Sequence, residues 1–151
     1  MVEPVRKSIL VPCDPKTAFE IFTTNIESWW PLDGHSVSAM NGKTAKSLVL
    51  EPGIDGQLYE ITADGEREDW AYVRTWEPGN RLVLAWHVMA PASQATEVEL
   101  MFSQEGSETR VDLVHSGWEI MGDTAAERRD SYANGWVRVF EKNYANACGA
   151  N

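Results

Sequence analysis

The sequence predicts an α+β fold in which a curved antiparallel sheet of about seven strands wraps a long C-terminal helix. Three observations predict it. The chain opens on a strand pattern that hands over to a capped helix. Residues 45–116 then alternate between apolar and polar positions, with turn dipeptides between the runs. The chain ends on a long stretch of helical periodicity. Laying that helix across the concave face of a strongly bent sheet is the economical way to bury both apolar faces. A sheet bent this far does not close tightly on its helix, and the gap is a natural ligand cavity.

Val5–Val11 reads as the first strand. Asp14 is placed to cap a helix that has Pro15 at its first position, and Ala18, Phe19, Phe22 and Ile26 follow at helical spacing. Asn25 to Trp30 forms either a second short helix or a bent continuation, and Pro31 ends it. Leu32 to Thr44, with Gly34, Asn41, Gly42 and several serines, reads as a long loop. The strands that follow are Ser47–Glu51, Gln57–Ala63, Glu66–Trp76, Arg81–Val88, Ala95–Ser103 and Thr109–Ser116. Asp64-Gly65 marks a hairpin, and Pro78-Gly79 fits the centre of a type II turn. Thr124-Ala125-Ala126-Glu127 matches a capping box for the last helix, whose inner face carries Ala125, Arg129, Tyr132, Trp136, Val139, Phe140 and Asn143. Gly135 within it costs about 1 kcal/mol relative to Ala, and close approach of the helix to the sheet would account for it.

With 151 residues, 43% hydrophobic and 24% charged, the chain suits one globular domain spanning 1–151. The formal charge of −10 and the absence of a Lys/Arg cluster exclude nucleic-acid binding. Glu51 to Asp69 holds seven acidic residues against Arg67 alone, a solvated rim that repels polyanions and anionic membranes. No apolar run approaches the ~20 residues of a membrane helix, so membrane insertion is not expected. Cys13 and Cys148 have no CxxC spacing, and no signal peptide is visible, so a cytoplasmic protein with reduced thiols is the default.

Metal and cofactor sites are not expected, because the three histidines lie in separate elements without HxH or HExxH spacing and no phosphate-binding glycine loop is present. His115 shares strand parity with Val111 and Leu113 and faces the concave side. It is either a polar group in the cavity or a core histidine satisfied by neighbours. Glu60 shares parity with Leu58, which points a carboxylate inward; the alternative register turns Tyr59 and Ile61 in and Glu60 out. His87 belongs to the smaller apolar set of its strand and is expected outside, and His35 is expected as a solvated loop residue. Seven tryptophans is a high count. The rings expected to touch an internal space are Trp29, Trp30, Trp70, Trp86, Trp118 and Trp136, with Tyr132.

The ordered set Asp14-Pro15, Ala18-Phe19, Phe22-Thr23, Ile26-Glu27-Ser28-Trp29-Trp30-Pro31, Asp64-Gly65, Trp76-Glu77-Pro78-Gly79-Asn80-Arg81-Leu82-Val83, Trp86, Thr96-Glu97-Val98, Thr109-Arg110-Val111, His115-Ser116-Gly117-Trp118, Tyr132 and Gly135-Trp136 resembles the Hsp90-ATPase-activator-like (SRPBCC) branch of the Bet v 1/START-like superfamily. The resemblance covers essentially the whole chain and implies the helix-grip fold. Members of that superfamily bind lipids, hormones or polyketides, and some catalyse cyclisation or hydrolysis. The leading expectation is therefore a binder of a small hydrophobic or aromatic molecule rather than an enzyme, with Trp29, Trp30, Glu60, Trp70, Trp86, His115, Trp118, Tyr132 and Trp136 around the ligand. One alternative is a polyketide cyclase or hydrolase using His115 and Glu60. The other is a protein-interaction module acting on a heat-shock ATPase, with a protein partner or a second copy of the chain.

Overall fold

The computed structural model describes residues 2–150. Strand β1 (Val5–Val11) is followed by helix α1 (Pro15–Phe22), a single 3₁₀ turn (Ile26–Ser28) and the one-turn helix α2 (Val37–Met40). Six strands come next: β2 (Ser47–Leu50), β3 (Gln57–Ile61), β4 (Arg67–Glu77), β5 (Arg81–Trp86), β6 (Thr96–Glu105) and β7 (Glu108–Ser116). A 3₁₀ stretch (Trp118–Thr124) leads into α3 (Ala125–Trp136), which continues as a π-helical stretch (Val137–Tyr144) and a last turn, α4 (Ala145–Ala147). The seven strands form one antiparallel sheet in the order β1-β7-β6-β5-β4-β3-β2. Consecutive hairpins build β2 to β7, and β1 closes the far edge against β7, Val5 opposite His115. This is the predicted α+β helix grip.

Local chemistry explains most boundaries. Asp14 accepts the Thr17 amide at 2.7 Å and Pro15 occupies the first turn, so α1 starts where the capping signal lies. Gly65 and Gly79 supply the positive φ values, 86° and 76°, of the two tight turns. Trp136, Phe140, Tyr144 and Cys148 are all buried and recur every four residues. On an ideal α-helix such a repeat rotates by about 40° at each step. The wider winding of Val137–Tyr144 counters that rotation and keeps the stripe facing the sheet.

Four expectations need correction. The capping box at the last helix does not form: the Thr124 hydroxyl donates back to the Met121 carbonyl at 3.0 Å, because a 3₁₀ stretch rather than an extended segment precedes the helix. The long loop contains the helical turn α2, whose Ala39 amide donates to the Ser36 hydroxyl at 3.0 Å. His87 is buried, not outside. Strand β5 stops at Trp86, and His87 folds into a turn in which its Nδ1 meets the Ala90 carbonyl at 3.0 Å, with Tyr72 beside the ring. Gly135 approaches the His35 ring, not the sheet.

The apolar core joins β1, α1, the concave face of the sheet and the C-terminal helix. One half of that concave face is plugged by α1. Phe19 packs edge-on to Trp76 and Phe102, and Phe22 meets Trp29 and Tyr144, with Phe140 stacked on Tyr144. The Tyr144 hydroxyl donates to the Ala18 carbonyl at 2.6 Å, tying α1 to the helix. The other half, which α1 does not reach, lies between the C-terminal helix and the segment from Trp30 to Met40 with α2 at its end.

Candidate functional site

Under that segment lies a cavity of about 500 Å³, lined by Trp30, His35, Trp70, Trp86, Tyr132 and Trp136 together with Met40, Val88, Arg128, Ser131 and neighbouring residues. Its size falls within the ordinary range for small-molecule sites. Four tryptophans, from β4, β5, α3 and the segment after the 3₁₀ turn, form one contiguous cluster in its wall, with Trp30 and Trp86 6.1 Å apart across the cluster. Ring centroids lie 5.3 Å apart for Trp30–Trp70, 6.1 Å for Trp70–Trp86, 5.7 Å for Trp86–Trp136 and 6.0 Å for Trp136–Trp30.

Each of the four indole N–H groups is anchored. Trp30 donates to the His35 carbonyl at 2.7 Å, Trp70 to Glu60 at 3.1 Å, Trp86 to the Tyr132 hydroxyl at 3.1 Å and Trp136 to His115 Nδ1 at 3.1 Å. A buried indole N–H needs such a partner, and the partner also fixes the ring plane. The walls of the cavity are therefore positioned by polar groups that lie mostly behind them.

His115 and Glu60 are two of those groups, and neither lines the cavity. His115 is fully buried. Its Nδ1 accepts from Trp136, so the ring proton sits on Nε2 and is donated to Thr96 Oγ1 at 2.8 Å, and that hydroxyl donates onward to the Trp86 carbonyl at 3.3 Å. Burial pushes the His115 pKa down to about 3, which keeps the ring neutral. Glu60 is also fully buried, on the inward parity of β3. Its carboxylate accepts from the amides of Val37 (2.7 Å) and Ser38 (2.9 Å), the Ser38 hydroxyl (2.7 Å) and Trp70 Nε1. It thus anchors α2, the roof of the cavity, to the sheet. With both side chains occupied and turned away from the open space, the expected pairing of His115 with Glu60 on a cavity ligand is not supported by the geometry.

The structure thus brings five of the nine predicted positions to the cavity: Trp30, Trp70, Trp86, Tyr132 and Trp136. Trp29 packs behind Trp30, against Phe22 and Tyr144, and donates to the Ile21 carbonyl. Trp118 lies with its ring 4.1 Å from that of His115, tilted by 38°, and donates to the His115 carbonyl at 2.9 Å. Sequence reasoning placed His35 in solvent; it is half-buried and lines the cavity, held against Gly135. Burial, then the charge of Arg138, lowers its pKa, against the pull of Asp33. Arg128 was missed altogether, although its spacing of four from Tyr132 puts both on one helix face. Among the described residues no cluster of His, Cys, Asp or Glu is arranged to hold a metal, and no helix is long and apolar enough to cross a membrane. Cys13 and Cys148 are free thiols, and burial pushes Cys148 up to about 12.

The fold and this layout define a helix-grip protein with an internal aromatic cavity. The model of the activator of Hsp90 ATPase homolog 1-like protein family matches residues 12–143, and the chain belongs to that family. No curated protein matches it in sequence. Among solved structures, the chain is similar to Txn09, an anthrahydroquino-γ-pyrone synthase, with 29% identity, 97% of each chain covered and a TM-score of 0.66. It has the fold of CalC, a self-sacrificing resistance protein from Micromonospora echinospora, at 23% identity over 97% of this chain and 94% of that one, with a TM-score of 0.65. The same fold occurs in the Aha1 dimer from Colwellia psychrerythraea, at 16% identity over 95% and 97% of the two chains, with a TM-score of 0.63.

Proposed function

We propose that this protein binds a small, flat aromatic molecule in the cavity between the sheet and the C-terminal helix. The observation that carries the reading is the cluster of four anchored tryptophans that walls about 500 Å³ of open space. Rings already fixed by hydrogen bonds lose little freedom when a ligand stacks on them, and such preorganisation favours binding. The test is a tryptophan-fluorescence titration with N-phenyl-1-naphthylamine, an uncharged aromatic probe. Saturable one-site quenching in the micromolar range is the expected result. A linear, non-saturating response would sink the proposal.

A second reading, chemical conversion of the bound molecule, is favoured by the 29% identity to a synthase over nearly the whole of both chains. The groups available for it at the cavity are the Tyr132 hydroxyl and the His35 imidazole rather than His115 and Glu60. Incubation with aromatic polyketide-type phenols, followed by mass spectrometry, tests it: an unchanged mass spectrum and unchanged chromatographic profile exclude conversion. Membership of the family does not by itself assign ATPase activation.

A further inference from the structure

The protein carries a formal charge of −10, yet no carboxylate lines the cavity. The one full charge on its lining is Arg128, because burial and Arg138 hold His35 toward its neutral form. Acidic side chains near the mouth are occupied elsewhere: Asp33 pairs with Arg138 at 3.1 Å and Asp130 with Arg129 at 3.3 Å. Arg128 itself makes no ion pair among the described residues. One helical turn further on, Tyr132 accepts a hydrogen bond from Trp86 Nε1, and no acceptor for its own proton lies among the described residues. Arg128 lies close enough that its charge favours the Tyr132 phenolate, although burial wins and holds the phenol above its ordinary range. A cation and an unspent O–H donor, four residues apart on one face of α3, therefore both line a chamber whose largest side chains are aromatic. Donors that converge without an internal acceptor suit an oxyanion.

We propose that Arg128 and Tyr132 form an oxyanion subsite, so that the preferred ligand is an aromatic molecule bearing an acidic oxygen group such as a carboxylate, sulfonate or phenolate. The aromatic body stacks among the tryptophans, and its anionic end lies against the guanidinium and the phenol. The subsite rests on the cavity-binding reading above and adds the charge of the ligand to it. It also accounts for selectivity: the acidic surface repels anions in general, while the cavity accepts one that brings an aromatic body.

A matched probe pair separates the two proposals. 1-Anilinonaphthalene-8-sulfonate and N-phenyl-1-naphthylamine share one skeleton and differ by the sulfonate. At low salt the sulfonate should bind about tenfold tighter, an advantage that shrinks as salt screens the pair. Arg128→Gln, at an exposed residue outside the core, should abolish the preference and bring the two probes to equal affinity. Tyr132→Phe should reduce the preference by a smaller factor. Equal binding of the two probes by the parent protein, or a preference that survives Arg128→Gln, would overturn the subsite while leaving the cavity reading intact. Saturable binding by neither probe would overturn both.

Discussion

The two halves of the concave face make opposite use of aromatic side chains. In the half beneath α1, Phe19, Phe22, Phe102, Phe140 and Tyr144 interlock and leave no space. In the half beneath α2, four tryptophans pack on one another as closely, yet open space remains against one side of their cluster. The phenylalanines have no polar handle and are free to close on one another until the space is filled. Each tryptophan at the cavity is held by its N–H to a partner on another element or on the roof, which fixes its ring plane as part of the cavity wall.

The largest effect should come from the filled half. Phe22→Ala removes a fully buried ring between Trp29 and Tyr144 and should cost about 3–5 kcal/mol in urea unfolding. The anchors come next. Glu60→Ala leaves the amides of Val37 and Ser38, the Ser38 hydroxyl and Trp70 Nε1 without their acceptor. It should cost about 3 kcal/mol, and hydrogen exchange should rise first in Val37–Met40. A loss below about 1 kcal/mol would mean that water replaces the carboxylate and that the roof does not depend on it.

His115 should give a smaller loss and a pH signature. The folded ring has a pKa of about 3 against 6.5 in the unfolded chain. Between those values the unfolded chain takes up a proton that the folded chain refuses, so stability falls as pH drops through that window. The slope approaches about 1.4 kcal/mol per pH unit. His115→Phe should lose about 2 kcal/mol at neutral pH by orphaning the Trp136 N–H. It should also flatten the acid limb of the curve, and an equally steep limb in the variant would assign the acid sensitivity to other groups.

The smallest stability effect should accompany the largest binding effect. A Cβ at Gly135 meets the His35 ring at 3.5 Å, an ordinary contact, and removing Gly from a helix interior is favourable by about 1 kcal/mol. Gly135→Leu should therefore fold at least as well as the parent while filling the cavity, with probe affinity down about tenfold or more. Unchanged affinity would place the bound probe elsewhere.

The fold was legible because its signals are local: the Asp14-Pro15 cap, the glycine turns and the alternation along β3, β6 and β7. The inward parity of Glu60 and His115 was legible for the same reason. What parity does not encode is whether an inward polar group has hydrogen-bonding capacity left. That depends on Val37, Ser38, Trp70, Thr96 and Trp136, between 10 and 23 residues away in the chain. His35 and α2 were missed because a loop rich in Ser and Gly carries no periodicity, and the carboxylate that organises it comes from β3. The halting of β5 at Trp86 likewise depends on the turn that follows, so the alternation along the strand misplaced His87.

The central claim is that an aromatic ligand sits in the cavity against the cluster of anchored tryptophans. It is tested most directly by titrating the ¹⁵N-labelled protein with 1-anilinonaphthalene-8-sulfonate and following the seven indole N–H resonances. Saturable shifts confined to Trp30, Trp70, Trp86 and Trp136, with Trp29, Trp76 and Trp118 nearly still, are the predicted result. Shifts centred on Trp76 or Trp118, or no saturable shift at all, would contradict it.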